Sequence, residues 1–181
     1  MKNSFLSIVF LMFSFICKAQ SSNSDNAQVS LSSKYAPNVL AVYQENSKSK
    51  IEDLFNYFQM LTNASLRDDL KKEVVTNINQ LYRNKNAMII DFTSASFDKI
   101  PLQQFIQKLL ISEPITFTVS EEANFNLVTF NSWKSEYTIT RTKLGITSKI
   151  KVNQKIFMFD FEKEFGNKTK IVTNVLLDEM Q

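Results

Sequence analysis

The chain has 181 residues, of which 44% are hydrophobic and 22% charged, an ordinary composition for one globular domain with a hydrophobic core. It contains no histidine, one cysteine (Cys17), and a formal net charge of +3. Imidazole and thiolate supply most general bases and most transition-metal ligands. A catalytic histidine dyad is therefore excluded, and we expect neither a metal site nor a cofactor.

The N-terminus has the pattern of an export signal. Lys2 precedes an apolar run over residues 5–16, and a short polar end reaches Ala19 before Gln20. The run is shorter than the roughly 20 apolar residues of a membrane span. We predict a signal peptide over residues 1–19, cleaved between Ala19 and Gln20, and an exported chain that keeps no transmembrane segment. It would be periplasmic, surface-bound or secreted. A lipoprotein anchored through Cys17 is the alternative, which the bulky residues before this cysteine disfavour.

Cleavage lowers the net charge to about +1, because Lys2 and Lys18 leave with the signal. This near-neutral charge, together with export, argues against a nucleic-acid partner. The richest basic stretch, and thus the candidate for contacts with a nucleic acid, contains Lys143, Lys149, Lys151 and Lys155.

Residues 20–47 are predicted to be a flexible linker, and residues 48–181 a single domain. The linker begins with a stretch rich in serine and asparagine. Apolar residues within 35–46 indicate that part of it docks on the domain.

Three helices are predicted from apolar residues at helical spacing. The first begins at a capping-box pattern, Ser49 to Glu52, and carries Ile51, Leu54, Phe55, Phe58 and Leu61 on one face. The second spans about residues 65–81, and the third begins with Pro101 in its first turn and runs to Leu110. A short apolar strand over residues 87–92 lies between these two helices.

After Pro114 the apolar period changes to two, which is typical of strands. Strands are predicted over residues 115–119, 127–130, 133–140, 149–165 and 168–177. The pair Gly166-Asn167 predicts a two-residue hairpin turn between the last two.

This order of elements resembles the nuclear-transport-factor-2-like family, whose helices close a cone over a curved, mostly antiparallel sheet. The segments that carry the resemblance are residues 51–61, 66–81, 88–92, 101–110 and 115–177. The composition and the Lys-Ala-Gln boundary of the signal also resemble secreted proteins of Bacteroidetes-type Gram-negative bacteria. Another α+β arrangement with helices on one face of a sheet is the alternative fold.

The resemblance also suggests catalytic candidates. The steroid-isomerase branch of the family uses a tyrosine and two acids, and Tyr57, Asp91 and Asp160 occupy loosely comparable elements. The alternative interpretation is a tyrosine at the edge of the core and two surface carboxylates.

Three acidic residues, Asp160, Glu162 and Glu164, share one face of a predicted strand. They would either bind a hard cation such as calcium or form a solvated outer face. The second interpretation turns the phenylalanines of this strand, Phe157, Phe159, Phe161 and Phe165, toward the core.

One further stripe is a candidate for binding. Trp133, Tyr137 and Ile139 lie on one face of a strand and would line a ligand cavity, form a contact surface for a partner, or pack in the core.

The function expected from these observations is that of an exported, non-catalytic binding or accessory module. Its cone cavity or its exposed sheet face would hold an apolar small molecule or a protein partner. The alternatives are an enzyme without histidine that uses a Tyr/Asp constellation, and a structural domain that forms homodimers through its sheet.

Overall fold

The computed structural model describes residues 34–129 and 131–181, without the side chains of residues 121–128. The predicted signal peptide, its cleavage at Ala19 and Gln20, and the alternative lipid site at Cys17 lie outside the described residues. So does the first part of the predicted linker, residues 20–33.

Within the described residues the chain forms three helices, a two-stranded ribbon and a strongly curled antiparallel sheet of four strands, which confirms the predicted α+β class. The elements in chain order are α1 (Pro37–Leu61), α2 (Asp68–Leu81), β1 (Met88–Ile90), β2 (Lys99–Pro101), α3 (Leu102–Leu110), β3 (Ile115–Thr129), β4 (Ser132–Lys143), β5 (Ile146–Phe165) and β6 (Lys168–Met180). The large sheet is a meander in the order β3-β4-β5-β6, and β1 pairs with β2. No helix among the described residues is long and apolar enough to cross a membrane.

Helix α1 begins twelve residues before the predicted capping box, with Pro37 at its first turn. Ser49 does not cap a helix, because it lies inside one, where its hydroxyl bonds back to the carbonyl of Glu45 at 3.4 Å. Residues 37–47, which the sequence assigned to the linker, are therefore helical, and Leu40 and Ser47 are buried.

Helices α2 and α3 are observed where they were expected, with α2 starting at Asp68 and α3 at Leu102. The stripe of α3 is buried, whereas α2 buries only Val74 and Ile78 and leaves Leu70 exposed. Pro101 does not enter the first turn of α3; it precedes the helix and ends the short strand β2, which the sequence did not predict. The strand predicted over residues 87–92 is observed as β1.

The core lies between the inner face of the large sheet and the helices. Helix α1 packs against β3 and β6 of this sheet and against α2 and α3. Residues of β4, β5 and β6 that point inward complete the core, among them Trp133, Tyr137, Ile139, Val152, Ile156, Val175 and Leu177.

Two predictions about the strands need correction. The strands predicted over residues 115–119 and 127–130 are one strand, β3, whose pairing with β4 shifts register between Glu121 and Phe125 and again between Leu127 and Thr129. Bulges of this kind bend a strand without ending it.

The second correction concerns which face of β5 meets the core. Val152, Gln154, Ile156 and Met158 are buried, so the even-numbered residues of β5 point inward. The aromatic residues predicted to face the core, Phe157, Phe159, Phe161 and Phe165, consequently lie on the outer face, half-buried or exposed.

Both glycines of the chain lie in hairpin turns. Gly166 has φ +61 in the predicted turn before β6, which confirms that hairpin. Gly145 has φ +77 between β4 and β5, and Leu144 before it has φ +50, the paired positive angles of a type I′ turn.

Candidate functional site

Asp91, the first catalytic candidate, lies at the end of β1, and its side chain is buried. One carboxylate oxygen accepts hydrogen bonds from the backbone N–H (2.9 Å) and hydroxyl (2.6 Å) of Thr93. The other accepts one from the ammonium of Lys108 on α3 at 2.5 Å. This carboxylate closes a tight turn and ties that turn to a helix.

The environment keeps Asp91 ionised. Burial alone would raise the pKa of this carboxyl group, but the hydrogen bonds from Lys108 and Thr93 outweigh burial, and the pKa is lowered from its ordinary value of 3.8. A general acid that works near neutral pH needs the opposite shift. Asp91 is thus suited to structural anchoring rather than to proton donation.

No hydrogen bond among the described residues joins either of the other two catalytic candidates to Asp91. Tyr57 is half-buried on α1 at the edge of the core. Asp160 on β5 is exposed and accepts hydrogen bonds from Lys34, Tyr35 and Thr173, whereas the donors to Asp91 are Thr93 and Lys108. The pKa of Asp160 is also lowered, first by the Thr173 hydroxyl and then by Lys34. A Tyr/Asp constellation is not assembled by these contacts.

The stripe Trp133, Tyr137 and Ile139 is fully buried in the core. The hydroxyl of Tyr137 donates to the side-chain carbonyl of Gln154 at 3.2 Å, and the amide of Gln154 donates to the carbonyl of Asp178 at 2.6 Å. Burial, and then the nearby Tyr82, raise the pKa of Tyr137 well above 10, so its phenol stays protonated. These side chains do not form an outward contact surface.

Aromatic rings fill the space between the helices and the sheet. Phe55 on α1 contacts four rings at centroid distances of 5.4–6.0 Å, those of Phe58, Phe92, Phe117 and Tyr137. The edge-to-face geometry of most of these pairs is that of a close-packed core.

Three crevices formed by described residues open at the surface. The largest, of about 390 Å³, lies between α2 and α3 and is lined in part by Lys71, Lys72 and Leu110. A second, of about 250 Å³, lies beside the end of α1, and a third, of about 210 Å³, lies beside Asp160. Trp133, Tyr137 and Ile139 line none of the three.

The outer face of the large sheet carries a concentration of lysines. Side chains alternate between the two faces of a strand. The face of the sheet that points away from the helices carries the odd-numbered residues of β5, the even-numbered residues of β4 and the even-numbered residues from 168 to 176 on β6. We call this surface the outer face. Seven lysines lie on it: Lys134, Lys149, Lys151, Lys155, Lys163, Lys168 and Lys170.

Few carboxylates of the described residues compensate this charge. Glu136 lies 4.0 Å from Lys151, and Asp178 lies 3.8 Å from Lys155. Two pairs of lysines face each other directly across neighbouring strands, Lys134 with Lys155 and Lys163 with Lys170. Like charges in directly opposed positions destabilise a sheet, so the fold tolerates this arrangement at a cost.

The same outer face carries the aromatic residues of β5. The guanidinium of Arg83 lies 3.8 Å from the ring centre of Phe157. The ammonium groups of Lys163 and Lys170 lie 5.6 Å and 5.8 Å from the ring centre of Phe165, which is half exposed. The outer face is thus both basic and aromatic.

The carboxylates Asp160, Glu162 and Glu164 lie on the opposite face of β5, beyond the edge of the core. Among the described residues, no three acidic, histidine or cysteine side chains converge as metal ligands would. Charges of opposite sign are therefore segregated onto opposite faces of the same strand.

The predicted basic stretch is divided between the two faces. Lys149, Lys151 and Lys155 lie on the outer face, whereas Lys143 points inward and donates to the carbonyl of Thr93 at 3.0 Å. The signal for the outer face was present in the sequence as lysines at alternate positions of β5. The sequence does not reveal this face, because Phe157 and Phe159 are as apolar as Val152 and Ile156 and predict the opposite buried side equally well.

Compared with protein-family models, with curated proteins and with solved structures, the chain shows no significant match.

Proposed function

We propose that the protein is a non-catalytic binding or accessory module that holds an acidic protein partner on the outer face of its sheet. The single observation that carries this proposal is the placement of seven lysines and four phenylalanines on one face, with few carboxylates among the side chains that the structure describes there. A basic surface of this kind attracts and orients an acidic partner. The exposed rings supply the apolar area that gives an interface its affinity.

The other predicted uses receive less support. A buried ligand would need space where the rings around Phe55 pack against one another. An enzyme without histidine would need a carboxyl group with a raised pKa, whereas the pKa values of Asp91 and Asp160 are both lowered. A homodimer through the outer face would place the lysines of two copies against each other.

Membership of the nuclear-transport-factor-2-like family and export are part of the same proposal. The order of three helices and a strongly curled antiparallel sheet supports the family. The sequence of residues 1–19 supports export, which would present the outer face to partners outside the cytoplasm.

The test begins with capture of the partner in cells that produce the protein naturally. A photo-cross-linking amino acid replaces Thr140, which lies on the outer face, and in a matched control it replaces Thr76, which is exposed on α2. We expect an acidic protein to be cross-linked from position 140 and not from position 76.

The captured protein is then titrated against two charge-reversal variants. Lys149→Glu with Lys168→Glu changes the outer face, and Lys71→Glu with Lys72→Glu makes the same change of charge on α2. We expect the first pair to raise the Kd about tenfold or more, which corresponds to about 1.4 kcal/mol, and the second to leave it within about twofold. The affinity of the unmodified chain should also fall as salt is added.

Equal Kd values for the two double variants would overturn the proposal. Vesicles that contain phosphatidylserine are tested in parallel. If they bind the unmodified chain and not the Lys149→Glu/Lys168→Glu variant, the partner is a membrane, and the assignment of a protein partner is wrong.

A further inference from the structure

The turn between β4 and β5 presents two large aliphatic side chains to solvent. Leu144 is 74% exposed and Ile146 is 72% exposed. The ladder is complete up to the turn, with the hydroxyls of Thr142 and Thr147 only 3.0 Å apart across the two strands. We call residues 143–146 the hairpin tip. The tip is thus an ordered end of the sheet that carries two apolar side chains outside the core.

Leu144 adopts a backbone conformation that suits other residue types better. Its φ of +50 lies in the left-handed region, where the Cβ of an ordinary residue crowds the following carbonyl oxygen. Two-residue turns of type I′ therefore favour asparagine or glycine at this position. The hairpin between β5 and β6 follows this preference, because the first position of its turn is Gly166, at φ +61. At Leu144, turn formation alone would select a different residue.

The stability of the fold does not account for this leucine either. Its side chain removes little apolar area from water, so it contributes little to the hydrophobic core. A Cβ placed on the neighbouring Gly145 would have no atom within 4 Å, so the turn stands clear of the rest of the described structure. An exposed leucine in a strained conformation is explained when its side chain binds a molecule outside the chain.

The hairpin that carries the tip is basic. Residues 137–159 contain no aspartate or glutamate, but they include one arginine and four lysines. Arg141 and Lys143 donate to backbone carbonyls of the loop after β1, at 3.4 Å and 3.0 Å, and these contacts leave their charge uncompensated. Lys149 is exposed. A surface that covers the tip is therefore expected to be acidic around an apolar centre.

A protein fits the tip better than a second copy of the chain or a membrane. Two copies that met at their tips would place Arg141 and Lys143 of one beside the same residues of the other. The outer face begins close to the tip, because Lys149 lies three ladder pairs from it, so one acidic partner can contact both. The sheet is strongly curled, and a flat bilayer would meet a small part of such a surface, whereas a protein can follow its curvature.

We propose that Leu144 and Ile146 insert into an apolar pocket on the acidic protein partner, and that carboxylates around this pocket face Lys149. This inference rests on the proposed function and adds the group that anchors the partner. Apolar anchors that fill a pocket contribute a large share of the affinity of an interface. The lysines of the outer face orient the partner and speed its approach.

The substitution Leu144→Asn separates binding from folding. Asparagine is favoured at positive φ, so this variant should unfold at a higher urea concentration than the unmodified chain. The same substitution removes the apolar anchor. We therefore expect the Kd of the acidic protein cross-linked from position 140 to rise about tenfold or more. A residue that served only the fold would not lower affinity while raising stability.

Three further variants serve as controls. Ile111→Asn removes an aliphatic side chain that is 88% exposed at the end of α3, and it should leave the Kd within about twofold. Leu144→Met keeps an apolar side chain at the tip and should retain most of the affinity. Ile146→Thr keeps a β-branched residue in the strand, removes apolar area, and should raise the Kd about threefold or more.

A Kd of Leu144→Asn within about threefold of the unmodified chain would overturn the proposal, and so would an equal loss of affinity in Ile111→Asn. A Leu144→Asn chain that unfolds more easily than the unmodified chain would assign this leucine to the fold instead. Vesicles of phosphatidylserine and phosphatidylcholine are tested with the same chains. If they bind the unmodified chain and not Leu144→Asn, the tip binds a membrane and the protein pocket is wrong.

Comparison with the charge-reversal variant separates the tip from the outer face. If no acidic protein is cross-linked from position 140, the proposed function and the anchor are both wrong. If an acidic protein is captured and its Kd responds to Lys149→Glu with Lys168→Glu but not to Leu144→Asn, the outer face binds the partner and the tip does not.

Discussion

Replacing Phe55 with alanine is expected to destabilise the protein by about 3–5 kcal/mol, the range measured when a large aromatic side chain is removed from a core. Phe55 is 2% exposed and contacts the rings of Phe58, Phe92, Phe117 and Tyr137, which come from α1, the loop after β1, β3 and β4. A cavity at this point therefore weakens the packing of helices on the sheet. Urea unfolding followed by circular dichroism measures the change.

Phe165→Ala is the matched control for this prediction. The ring of Phe165 is 50% exposed on the outer face, so its truncation should lower the free energy of unfolding by no more than about 1 kcal/mol. If the two variants unfold at the same urea concentration, the ring cluster around Phe55 is not the core of the fold.

The second large effect is expected for Asp91→Asn, which should lower the free energy of unfolding by about 1.5–3 kcal/mol, the usual range for a hydrogen bond to a charged group. Asparagine can still accept the hydrogen bonds from Thr93, so the substitution chiefly removes the charge-assisted bond from Lys108. Lys108 is partly exposed, which keeps the cost below that of a fully buried ion pair. Asp160→Asn breaks an exposed pair with Lys34 and should cost less than about 1 kcal/mol.

The effect of Asp91→Asn should depend on pH in a direction set by the lowered pKa. The contribution of Asp91 to stability is present above its unfolded-state pKa, near 4, and is lost as the pH falls through the lower folded-state value. The difference in unfolding free energy between the unmodified chain and the Asp91→Asn variant should therefore be constant from about pH 5 to 8 and shrink below about pH 4. A difference that grows on acidification would contradict the ion pair with Lys108.

Much of the fold could be predicted, because in most helices and turns the local sequence pattern agrees with the tertiary packing. The stripe of α3 and the turn at Gly166 are determined by residues close together in the chain, and both were identified correctly. The start of α1 was predicted wrongly, because a serine followed three residues later by glutamate also occurs inside helices. Ser49 lies inside α1, where its hydroxyl bonds back to a carbonyl of the preceding turn.

The orientation of β5 could not be predicted from its own sequence. Residues 156–159 are all apolar, so either parity is compatible with a buried face. The choice depends on long-range packing: Ile156 and Met158 are buried in the core, whereas Phe157 and Phe159 remain on the outer face. The wrong orientation predicted for β5 also hid the basic outer face, because it placed the phenylalanines of β5 on the face opposite its lysines.

The catalytic candidates illustrate a different limit. Tyr57, Asp91 and Asp160 were selected by the elements on which they lie, and the side-chain contacts that decide their roles arise only in the folded chain. Lys108, which holds Asp91, is seventeen residues away, and Lys34, which holds Asp160, is 126 residues away. Neither partner is recognisable from a local pattern.

Native mass spectrometry of the protein from its natural source tests most directly whether it binds on the outer face. The unmodified chain should carry an acidic protein, and the Lys149→Glu/Lys168→Glu variant should appear without it. A small molecule retained equally by both chains, with no acidic protein on either, would contradict this account, since binding would then not depend on the outer face.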